Sequence, residues 1–145
     1  MIKQALEQID ATIKFFKKNH RSSGSLCRRR TSSPTPTPID DLKPEECEFC
    51  ILGGIFYSCG ASIPELIKAP ARYSTLAERY PQSGPIIIAA ARTLGFTENR
   101  ASGEKDASEQ EKVDRACGVL WFHNDNDGRK DFVADTLDGA RKHLA

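Results

Sequence analysis

The sequence predicts an all-α fold, a compact bundle of about five to six helices with a buried central helix and a C-terminal helical hairpin. Residues 2–19 repeat apolar side chains at helical spacing, residues 47–59 are apolar on nearly every side, and residues 113–144 hold two further helical repeats. There is no βαβ alternation and no internal repeat, and 145 residues fit a single helical domain over 1–145.

The N-terminal helix is the clearest element. Ile2, Leu6, Ile9, Ile13 and Phe16 recur at spacings of 4, 3, 4 and 3, which gathers them on one side of a helix over 2–19. Asp10 and Lys14 pair at i,i+4 on the opposite side, and Lys17 and Lys18 complement the dipole at the C-terminal end. From about residue 20 to 41 that order breaks. Arg28-Arg29-Arg30 leads into alternating Thr and Pro through Pro34, Pro36 and Pro38, which predicts an extended Arg/Pro-rich loop. Helix is expected again over 44–59, with Pro44 in a first helical position, Glu45 and Glu46 in the first turn and Gly60 at the stop. Its apolar interior, CEFCILGGIFYSC, makes it the buried centre. Gly53 and Gly54 weaken a helix by about 1 kcal/mol each, so close approach of another helix is expected there.

Three capping boxes follow: Ser62 with Glu65, Thr75 with Glu78, and Ser108 with Glu111, the first two opening short helices. Residues 84–94, GPIIIAAARTL, read as a buried helix closed by Gly95, with a strand over 85–89 as the alternative. Residues 97–107 are polar and read as an exposed loop. Val113, Ala116, Cys117, Leu120 and Trp121 line one face of the next helix, and Val133, Leu137, Ala140 and Leu144 line the last. The short polar connection over 123–128 would fold these two into an antiparallel hairpin.

Composition narrows the function classes. The formal net charge of +1 argues against a strongly basic nucleic-acid binder, although the charge is unevenly spread. Residues 1–30 carry eight Lys/Arg against two acids, and residues 31–145 carry thirteen against eighteen. No apolar run is long enough for a membrane span, and the N-terminus lacks the apolar block of a signal peptide. Five cysteines without disulfide-scaffold density point to free thiols in a reducing cytoplasm.

The segment FCILGGIFYSCG over 49–60 resembles the W-C-x-x-G-A helix of a family of small bacterial and phage proteins known only as a domain of unknown function. That family also has an amphipathic N-terminal helix and a W-N-D-x-x-G-R-T-x-x-E-V segment. The latter reads here His123-Asn124-Asp125-Asn126-Asp127-Gly128-Arg129-Lys130-Asp131-Phe132-Val133. The likeness covers 2–19, 46–60 and 119–144, about half of the chain. His123 stands where the family has Trp, Lys130 where it has Thr, and the proline-rich arm has no counterpart. The resemblance implies a fold and a motif, with no activity attached.

Four constellations are candidates for chemistry. The Asn-Asp loop has the residue types of a tight turn that caps the next helix. Its Asn124, Asp125, Asp127 and Arg129 are also candidates for binding a partner's basic group or, loosely, Mg²⁺. An EF-hand is excluded, because placing Gly128 at position 6 puts His123 at position 1 and Ala134 at position 12, neither of them a carboxylate. Of Cys27, Cys47, Cys50, Cys59 and Cys117, apolar neighbours make Cys50, Cys59 and Cys117 read as small core residues. Cys47-x-x-Cys50 is alternatively half of a zinc site or a redox pair. Cys50 or Cys47 as nucleophile, His123 as base and Asp125 as orienter have the types needed for acyl transfer. Arg28, Arg29 and Arg30 could clamp phosphate in nucleic acid or an acidic partner face, or belong to a solvated loop, and they lack interleaved aromatics.

The expectation is a small non-enzymatic interaction or regulatory protein without cofactor or membrane contact. Its basic arm or Asn-Asp loop would bind another macromolecule, a protein first and nucleic acid second. The alternative is a small Cys/His-dependent hydrolase or metal-binding enzyme, which requires Cys50 to lie open beside His123 rather than sealed in the core.

Overall fold

The chain begins with α1 (Ile2–Lys18), as predicted, but rotated about its axis so that Ala5, Ile9 and Thr12 face inward while Ile2 stays exposed. Thr12 is tolerated inside because its hydroxyl donates to the Gln8 carbonyl at 2.7 Å. The computed structural model describes residues 2–30, 37–70, 72–97 and 108–144.

The stretch expected as an extended loop is tied into a small sheet. β1 (His20–Arg21) and β2 (Cys27–Arg29) flank β3 (Cys47–Phe49), which runs parallel to β1 and antiparallel to β2. The prolines at 34 and 36 lie outside the described residues.

β3 corrects the expectation of helix from residue 44. Pro44 to Glu46 form one 3₁₀ turn, with the Glu46 carboxylate accepting from the Lys43 N–H at 3.2 Å. Cys47, Glu48 and Phe49 then alternate in, out and in. Strands on both sides take up the polar backbone of this segment, which withholds it from a helix. Helix therefore starts only at α2 (Ile51–Ser58), whose first six residues are buried. Gly60, at φ +114°, lets the chain turn away after it.

The glycine pair in α2 is explained by close approach from two sources. A Cβ at Gly54 would overlap the Phe16 ring of α1, the helix approach that was expected. A Cβ at Gly53 would overlap the Leu26 carbonyl, so there the neighbour is arm backbone rather than a helix. That carbonyl also accepts from the Cys50 N–H at 3.3 Å.

α3 (Ile63–Lys68) opens with the predicted capping box, Ser62 and Glu65 bonding reciprocally at 3.2 Å. α4 (Tyr73–Arg79) begins before Thr75, which is thus inside the helix and not its cap. Its cap comes from elsewhere: the Ser74 N–H donates to the Asp114 carboxylate at 2.9 Å. α5 (Ser83–Thr93) is helix, not strand.

The last two elements are α6 (Glu109–Asn126), capped by Ser108 as predicted, and α7 (Phe132–Lys142). They follow one another across a short connection, but α5 lies between them and each packs chiefly on α5. The expected hairpin is in this respect corrected, because the apolar faces of α6 and α7 both turn toward α5. Seven α-helices and a three-stranded sheet make the described residues mostly helical, around one contiguous core. Among them no helix is long and apolar enough to cross a membrane.

Two glycines of similar helical setting should respond oppositely to the same change. Gly53→Ala is expected to lose about 3 kcal/mol or more in urea unfolding, since its methyl meets backbone that cannot move aside. Gly118→Ala, where nothing lies within 4 Å of the added carbon, should be neutral or gain up to about 1 kcal/mol from helix propensity.

Candidate functional site

α6 runs further than the sequence suggests, so His123, Asn124, Asp125 and Asn126 form its last turn rather than a connection. The inward stripe of this helix is Val113, Ala116, Cys117, Leu120 and Asn124. Trp121, expected on that stripe, is only half-buried.

Asn124 is 3% exposed, and its carboxamide is fully engaged. The side-chain oxygen accepts from the Ile51 N–H at 3.0 Å, capping the first turn of α2. The amide nitrogen donates to the Ser22 carbonyl at 2.8 Å and to Asp125 Oδ1 at 3.3 Å. Capping was the role expected of this loop, and it is delivered to a helix distant in sequence; α7 itself has no side-chain cap.

Arg21 completes the junction from β1. Its guanidinium donates to the carbonyls of Asn124, Asp127 and Arg129 at 3.0, 2.6 and 3.1 Å, and lies 5.0 Å over the Phe132 ring. Burial lowers the Arg21 pKa below its ordinary value, offset by the Asp127 and Asp125 carboxylates, and the group stays charged. Asp125 Oδ1 accepts from the Gly24 N–H at 3.1 Å. Asp127 takes hydrogen bonds from the side chain and backbone N–H of Arg129, which hold its carboxyl below the usual range. The four binding candidates of the Asn-Asp loop are thus brought together, and their polar atoms join the arm to α2, α6 and the start of α7.

The basic triplet is engaged by one glutamate and two backbone carbonyls. Arg28 pairs with Glu48 across the sheet at 2.9 Å, Arg29 donates to the Thr37 carbonyl, and Arg30 reaches the Glu45 carbonyl at 3.5 Å. The spare acceptors of Glu46 take the Thr37 hydroxyl at 2.7 Å. This end of the molecule carries both signs of charge close together.

The cysteines are interior. Cys27 and Cys47 are buried on neighbouring strands, and burial pushes both upward in pKa. Cys50 is 1% exposed, accepts from the Gly53 N–H at 3.4 Å as the N-cap of α2, and is pushed by burial up to about 12. A thiol held neutral and sealed from solvent lacks the thiolate that attacks or ligates. Cys117 is likewise buried and raised, while Cys59 is partly exposed with burial raising it to about 11. Among the described residues no hydrogen bond joins Cys50 to His123, whose ring sits edge-on to Phe122 at 5.5 Å. No group of three or more His, Cys, Asp or Glu among them is placed to hold a metal ion.

One feature of this end was not read from the sequence. Beyond the outer side of α6, Tyr73 stacks on Trp121 with centroids 5.7 Å apart at 24°, and Phe122 is 62% exposed. With Asp114, Gly118 and Asp125 they line an open cleft of about 410 Å³. The signal was present as the adjacent pair Trp121-Phe122. Successive helical residues point about 100° apart, so both rings cannot face one core.

Comparison of the chain with family models, with curated proteins and with solved structures finds no match.

Asn124→Ala should destabilise the protein by about 2–4 kcal/mol in urea unfolding, because it strands a buried N–H and a buried carbonyl. Asn126→Ala, two residues on and exposed, should change stability by less than about 0.5 kcal/mol.

Proposed function

We propose that the chain is a small non-enzymatic interaction protein whose binding face is the outer side of α6, with its aromatic cleft beside the Asn-Asp turn. One observation carries this reading. A large apolar ring, Phe122, stands in solvent next to a half-buried tryptophan, and among the described residues it shares that exposure with Ile2 alone of the large hydrophobic side chains. Exposed aromatic groups of this kind are what protein interfaces use as anchors.

Asn124, Asp127 and Arg129 are engaged at home, and this moves the reading from the arm to the cleft. In the arginine triplet Arg28 is paired with Glu48, and Arg29 and Arg30 donate to backbone carbonyls, which weakens any phosphate clamp. The hydrolase alternative needs a reactive thiol and meets a sealed one. Five thiols without a disulfide among the described residues fit a reducing cytoplasm, where we place the protein. The likeness to the uncharacterised bacterial and phage family belongs with this reading, as a shared order of motifs around α2 and the Asn-Asp turn.

Two measurements separate interaction from catalysis. In the native state a thiol reagent should react with Cys59 alone, slowly, and reach the other four only on unfolding. Rapid native labelling of Cys50 would restore the enzyme. Phe122→Ala should leave thermal stability unchanged and lose capture of a protein partner from lysate, whereas Cys50→Ser, which keeps an N-cap oxygen, should retain capture. The opposite pattern would overturn the proposal.

A further inference from the structure

The cleft on α6 is selective in chemistry as well as shape. We infer that it receives a cationic side chain, arginine in preference to lysine, presented by a partner protein; this rests on the interaction reading and specifies its ligand.

The placement follows from helical spacing. Asp114, Gly118, Trp121, Phe122 and Asp125 fall on one side of α6 at steps of four, three, one and three residues. Tyr73 of α4 joins this lining, stacked on Trp121. Gly118 interrupts this stripe with a notch, since nothing lies within 4 Å of where its Cβ would be. The notch is therefore open, in a cleft that Tyr73, Trp121 and Phe122 also line.

Ring faces carry negative electrostatic potential, and indole is the strongest of them as a host for a cation. The charged groups lining the cleft are carboxylates, Asp114 and Asp125. Asp114 already holds Arg72 at 2.8 Å and the cap of α4. Asp125 differs, because its Oδ1 accepts only from the Gly24 N–H and the Asn124 amide, and it forms no ion pair among the described residues. Arg21 lies near enough to be felt by Asp125, but its N–H groups go to three carbonyls. An apolar occupant would cover that carboxylate without pairing it, which is unfavourable. A guanidinium satisfies both requirements, stacking flat on Trp121 while donating to a carboxylate.

Trp121 is the sole tryptophan, so its fluorescence reports on this cleft alone. The probe is a peptide of alternating arginine and serine, titrated into the full chain beside the same peptide with neutral citrulline for arginine. Saturable change in Trp121 emission is expected, with the citrulline peptide about tenfold weaker or worse. Gly118→Leu adds a side chain whose Cβ meets nothing within 4 Å and replaces a poor helix former, so it should keep or raise the melting temperature while weakening binding about tenfold. Asp125→Asn retains the oxygen that holds Gly24 and should weaken binding several-fold. Equal binding of the citrulline peptide, or unchanged binding in folded Gly118→Leu, would overturn the inference. If the arginine peptide leaves Trp121 undisturbed while Gly118→Leu still abolishes capture of a protein partner, the cationic assignment fails and the interaction reading stands. If neither occurs, both fail.

Discussion

The carboxamide of Asn124 is the point on which this architecture turns. It is a buried polar group with two obligations, and both of its partners are backbone groups that would otherwise be stranded: the N–H of Ile51 at the head of the central helix and the C=O of Ser22 in the arm. A residue with both donor and acceptor on one planar head is required, which asparagine supplies and aspartate or leucine does not. Arg21 repeats the strategy on a larger scale, collecting three carbonyls from the end of α6 and the turn after it while its planar cation covers Phe132. Together the two side chains close the polar ends of β1, α2 and α6 against one another. Residues that looked suited to hold a ligand instead hold the fold.

The same closure accounts for the thiols. α2 enters the core at Cys50, whose sulfur caps the helix, and its glycines admit Leu26 backbone and the Phe16 ring at distances no side chain would allow. Packing this close leaves no water near the sulfur, so desolvation keeps it protonated. Cys27 and Cys47 meet on adjacent strands under the same seal. Chemistry that needs a thiolate is thereby displaced from the interior, and what the protein offers a partner lies on the outside of α6, where Trp121 and Phe122 cannot both turn inward.

Much of the helical content was legible because its signals are local. The spacing of apolar residues in α1, the capping box at Ser62, the N-cap at Ser108 and the stop at Gly60 depend on residues within a turn or two of each other. What was not legible depends on partners distant in the chain. The strand character of Cys47 to Phe49 is decided by β1 and β2 on either side, against local helix-start signals at Pro44 to Glu46. The start of α4 is set by Asp114, forty residues later, rather than by Thr75. The Asn-Asp turn was recognised as a place of capping, but the helix it caps lies 73 residues away. The cleft was missed because Trp121 was placed with the core residues of α6, although a step of one from Leu120 carries it to the edge of that stripe.

Native-state amide hydrogen exchange at Ile51 and Ser22 tests the central claim most directly, because both N–H groups lie in the joint between arm and bundle, donating to Asn124 and to the Phe49 carbonyl at 3.0 and 2.8 Å. If this joint is part of the fold, both amides exchange only through global unfolding, with the same opening free energy as the amide of Leu120 in the core of α6. Exchange at Ser22 and Ile51 through a local opening far below that free energy would contradict it, and would return Asn124 and Arg21 to the surface as groups available to a ligand.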